Sequence, residues 1–181
     1  LEASATCLLG RCLAARGEHG PAVELLRRAV GLWDRAGSRH HVTEALAHLA
    51  RALSRSGDHA EAAVVADRAM AVVRELGCTG RVEAEVHNAC GLVLRYSGDH
   101  ARAVGAFRRA SELATASEYR YGAVRAHLGS AEVLLCSYEY AQALDHCRIA
   151  LDMAVEAGFG LFEVCAREMV VRLLVTQLTE P

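Results

Sequence analysis

One motif returns along this chain at a nearly constant interval. Gly17-Glu18-His19-Gly20-Pro21-Ala22, Gly57-Asp58-His59-Ala60-Glu61-Ala62, Gly98-Asp99-His100-Ala101-Arg102-Ala103 and Tyr138-Glu139-Tyr140-Ala141-Gln142-Ala143 begin 40, 41 and 40 residues apart. A period of this size marks a stack of like units, each covering its neighbour's apolar face. The functional question then becomes what an extended surface can hold.

The units are helical. Leu, Ala and Val recur at three- and four-residue spacing, strand-like alternation is absent, and only Pro21 and Pro181 interrupt. The pattern predicts nine antiparallel helices, over 2–16, 20–36, 40–55, 60–76, 82–97, 101–116, 120–136, 140–157 and 161–178. Gly17, Gly57 and Gly98 end the first helix of a pair, and Asp58 and Asp99 are expected to cap the second. The units run over 1–37, 38–78, 79–118 and 119–158, with a further helix over 160–178, in one domain spanning 1–181. A helical pattern already running at Leu1 reads as a piece of a longer protein.

Equivalent positions carry equivalent residues. Seven before the turn stand Gly10, Ala50, Gly91 and Ala131, and four before it Leu13, Leu53, Leu94 and Leu134. Five after it stand Ala22, Ala62, Ala103 and Ala143, and twelve after it Ala29, Ala69, Ala110 and Ala150. Small residues let two helices approach, and the Leu fills the space between. In these positions the chain resembles the tetratricopeptide-repeat family, with Leu where that family's first helix usually has Tyr and about 40 residues per unit in place of 34. The resemblance implies an all-α, right-handed superhelix of four pairs plus one helix. Repeats of this length are similar to the C-terminal sensor arrays of actinobacterial antibiotic-regulatory activators and large LuxR-type transcriptional regulators. All 20 basic residues are Arg and Ile149 is the one Ile, a codon bias of high-GC bacteria.

Composition narrows the classes of function. A net charge of −2 gives no pull toward nucleic acid, and no uncharged apolar run is long enough to span a membrane. Seven cysteines without a C-x-x-C pair read as buried, reduced thiols of a cytoplasmic protein. The nine histidines form no H-x-x-x-H or His/Cys cluster on one helix, and His19, His59 and His100 read as turn wedges. No strained nucleophile turn or phosphate loop is present, so neither an enzyme nor a cofactor is expected.

The family resemblance assigns the concave face to the first helices. Its groove positions include Arg11; Glu44, Arg51 and Arg55; Glu85, Asn88, Arg95 and Tyr96; and Arg125 and Glu132, with Glu168 and Arg172 continuing into the ninth helix. Arg11, Arg51, Arg55 and Arg95 with Tyr96 make a basic stripe suited to an acidic peptide, since Arg pairs carboxylates bidentately. The same arginines could instead pair with Glu44 and Glu85. The expected function is a non-catalytic protein- or peptide-binding scaffold, the sensor or interaction part of a bacterial transcriptional regulator. The alternatives are a receptor for a small molecule or signalling peptide, and a self-assembly module. The ninth helix, apolar nearly all round from Cys165 to Leu178, needs cover from a following helix or from a homodimer partner.

Overall fold

The computed structural model describes residues 1–179, with side chains through 176. Among the described residues there are nine helices and no strand: α1 (Glu2–Ala15), α2 (His19–Arg35), α3 (Arg39–Ser56), α4 (His59–Leu76), α5 (Arg81–Tyr96), α6 (His100–Ala116), α7 (Arg120–Cys136), α8 (Tyr140–Ala157) and α9 (Gly160–Thr179). Most of these ends fall within one residue of the sequence-based ranges. Leu178 lies outside the described side chains.

The turn motif closes the same way in each unit. The N–H of Glu18, Asp58, Asp99 and Glu139 donates to the carbonyl of Leu13, Leu53, Leu94 and Leu134 respectively, at 2.9–3.0 Å. This closure needs a left-handed residue just before the donor. Gly57 supplies it at φ 97°, whereas Tyr138 is forced there at φ 61°. The expected aspartate caps divide. Asp99 accepts from the Arg102 N–H at 3.2 Å, but Asp58 caps nothing and accepts from the Ser56 hydroxyl.

The repeated small residues form the core. All eight alanines five and twelve residues after the turn are fully buried. Gly91 and Gly129 serve one large neighbour: a Cβ would stand 2.8 and 2.4 Å from the Phe107 ring. The Phe107 ring is seated by two absent methyl groups.

The resulting solenoid has two layers. The first helices α1, α3, α5, α7 and α9 pack on one another in succession, while no Cα of one second helix lies within 8 Å of another. The turn histidines fasten one unit to the next. His59 stacks on Tyr96 at 4.8 Å, and His100 Nδ1 meets the Ser137 hydroxyl at 3.2 Å. The two end helices carry uncovered apolar faces. On α1, Leu8, Leu9 and Cys12 are exposed, although the corresponding His48, Leu49 and Ala52 are buried one unit later. On α9, Val171 and Leu174 follow Ala131 and Leu134 by one period yet are 61% and 44% exposed. Cysteine burial departs from expectation: all seven are free, but Cys12, Cys136 and Cys165 are exposed.

Candidate functional site

The concave layer holds a cavity of about 270 Å³ walled mainly by α1, α3, α7 and α9, with Leu26 of α2 also in its lining. Its charged wall comes from Arg11, Arg51, Arg55 and Arg125, together with His48. Leu161, Phe162 and Cys165 of α9 and Tyr121 of α7 complete the lining, with the Tyr121 and Phe162 rings 4.8 Å apart. No Asp or Glu lines it. Four guanidinium groups therefore face one small volume with no anion on its surface.

One carboxylate stands behind that wall. Glu85 of α5 is buried, accepts from Arg125 at 2.6 Å and from the Tyr119 hydroxyl, and lies 3.7 Å from Arg51. Burial alone would raise its carboxyl, but Arg125 foremost brings it below the usual carboxylate range. The Arg125 guanidinium also sits 4.5 Å above the Tyr121 ring. Glu85 cannot balance two arginines. Burial, then the like charge of Arg125, pulls Arg51 below the ordinary arginine value.

Arg11 and Arg55 make no ion pair with any described residue. His48 is the next polar group of this wall. Arg51 can only donate to its Nδ1, at 3.5 Å, which puts the ring proton on Nε2. That Nε2 is buried and without a hydrogen-bond partner, with the Glu44 carboxylate 3.9 Å away. Burial foremost lowers the His48 pKa from its ordinary value, against the pull of the Glu44 carboxylate.

The expected basic stripe is thus redrawn. Arg11, Arg51 and Arg55 come together, joined by Arg125, while Arg95 pairs with Glu132 at 2.8 Å and lies 4.7 Å over Tyr96, outside the cavity. Tyr96 carries the stacked His59, and Tyr121 is the aromatic wall instead. Glu44 pairs with Arg81 at 2.9 Å. Asn88 is buried and donates to the Gly122 carbonyl at 3.1 Å. Glu168 and Arg172 are exposed on α9, away from the cavity lining.

Several participants escaped the sequence reading: His48, Tyr119, Tyr121, Leu161 and Phe162. The aromatic pairs Tyr119/Tyr121 and Phe159/Phe162 at the starts of α7 and α9 were the available signal. The scattered histidines also hide one pair, His127 and His146, whose Nδ1 atoms lie 2.9 Å apart. Burial, then His146, lowers His127 to about 4. Among the described residues no three His, Cys, Asp or Glu side chains converge as a metal set, and no helix is long and apolar enough to cross a membrane.

Paired helices stacked in register, with small residues at the contacts and a charged concave face, define a helical-repeat scaffold. The tetratricopeptide repeat matches residues 1–75 and again 41–116, and the chain belongs to that family. Among solved structures, a Rap protein complexed with competence and sporulation factor is similar, with a TM-score of 0.86 over 97% of this chain at 15% identity. The match takes in 49% of that protein, so this chain spans about half its length. No curated protein matches in sequence.

Proposed function

We propose that the chain is a non-catalytic interaction scaffold whose concave cavity takes an acidic segment of a protein or peptide. The observation that carries this reading is the wall of four arginines with no carboxylate on the cavity surface. Arg11 and Arg55 would hold the ligand's carboxylates, Arg51 and Arg125 supply the surrounding field, and Tyr121 and Phe162 receive an apolar side chain. The similarly folded Rap protein was crystallised with competence and sporulation factor, which supports ligand capture by an array of this kind. We place the scaffold as the sensor or interaction part of a cytoplasmic bacterial transcriptional regulator, where occupancy would shift a parent protein between states.

The test uses the two unpaired arginines. Arg11→Glu with Arg55→Glu should weaken binding of a Glu-rich peptide at least about tenfold in a fluorescence-anisotropy titration. Equal binding by the double variant refutes the acidic-segment reading. The uncovered Val171 and Leu174 favour a second reading, self-association through α9, which sedimentation velocity would reveal as a concentration-dependent dimer.

A further inference from the structure

A second cleft lies on the other layer, between α4 and α6 above α5, with a volume of about 480 Å³. Its origin is visible in the repeat register. Six and nine residues after the turn, α2 carries Val23 and Leu26, α6 carries Val104 and Phe107, and α8 carries Leu144 and Cys147. At the same two places α4 has Ala63 and Ala66, and both line the cleft. Across the gap α6 presents Gly105 and Ala106, while Val93 and Leu94 of α5 lie beneath. The cleft follows α4 from His59 to Arg74, roughly 22 Å at the helical rise.

Charge changes at the same boundary. Between α2 and α4, Asp34 pairs with Arg68 at 2.8 Å and Arg27 with Glu61 at 2.5 Å. One unit later the positions of Asp34 and Arg68 are held by Arg74 and Arg109, two like charges, and both line the cleft. Arg74 has no ion pair with any described residue, and Arg109 is held from behind by Glu83 at 3.3 Å and Glu112 at 3.7 Å. Toward the other end Arg102 lines the cleft, paired with Asp99 at 3.2 Å, and Asp67 is the one carboxylate of the lining. An apolar trough thus ends at a guanidinium pair, in the place where the previous boundary keeps an acid.

We propose that this cleft binds a small amphiphilic carboxylate, independently of the concave cavity. Its chain would lie against Ala63, Ala66, Met70 and Val93, and its carboxylate between Arg74 and Arg109, restoring the acid that Asp34 provides one unit earlier. A pocket of this size with an apolar body and a few placed charges suits a small ligand.

Decanoate is the probe, titrated calorimetrically into the whole chain. Saturable binding of one molecule per chain is expected below about 1 mM, with decanol at least tenfold weaker. Arg74→Asp, an exposed change that rebuilds the pairing seen at Asp34, should weaken decanoate about tenfold or more. Ala63→Val with Ala66→Leu, the residues α2 already carries, should abolish binding while the helical circular dichroism is kept. Arg11→Glu with Arg55→Glu should leave it unchanged. The proposal is overturned if decanoate does not saturate by about 1 mM, if decanol binds as well, or if affinity survives Arg74→Asp. Loss of binding in the Arg11/Arg55 variant would also overturn it by moving the site to the concave face.

Discussion

The layer between paired helices and the layer along the concave face are built by opposite rules. Between pairs, the same small residues recur at the same register, and each contact is made within a unit or with its immediate neighbour. Along the concave face, register positions differ from unit to unit, and the polar pairings cross from one unit to the next: Glu85 meets Tyr119 and Arg125, 34 and 40 residues away. Repetition holds the array together. Departures from repetition give it a particular chemistry.

The largest test of this contrast removes the centre of the polar layer. Glu85→Ala leaves Arg51, Arg125 and Tyr119 around an empty place, and stability should fall by about 3–5 kcal/mol in urea denaturation. A loss below about 1 kcal/mol would mean that the concave charges are independent of one another. Next comes the packing layer. Gly129→Ala drives a methyl group into the Phe107 ring and should cost about 1–3 kcal/mol. Gly105→Ala, where an added Cβ meets nothing within 4 Å, should instead stabilise by about 0.5–1 kcal/mol. The smallest effect belongs to the turn. Tyr138→Gly relieves the one within-unit turn that lacks glycine and should raise the melting temperature by about 2–4 °C, read by circular dichroism. No rise would show that Tyr138 compensates through its ring contact with Tyr140.

The sequence made the first layer legible and left much of the second hidden, for a physical reason. Helix ends follow local rules, so Gly57, Gly98 and the leucines four residues before each turn placed the elements within about a residue. Asp58 misled because a capping residue has competitors, here the Ser56 hydroxyl two residues back. Cys12 misled because an apolar position is buried only when a neighbour covers it. On the concave face, one helix at a time cannot tell which arginine meets which acid. Comparing units does better: Glu85 and Arg125 occupy the same register place in successive units, a signal of opposite charges one period apart. The contribution of α9 to the cavity depends on how far the superhelix turns, which the spacing of residues does not encode.

The cavity has walls from α1 and α9, yet no Cα of α1 lies within 8 Å of α9. The two ends of the coil therefore face each other across open space, as in a spring seen end on. An occupant touching Arg11 on one side and Phe162 on the other would act as a clasp. It would set the pitch of the whole coil, so that a small bound group would be reported as a change in length and curvature far from where it binds.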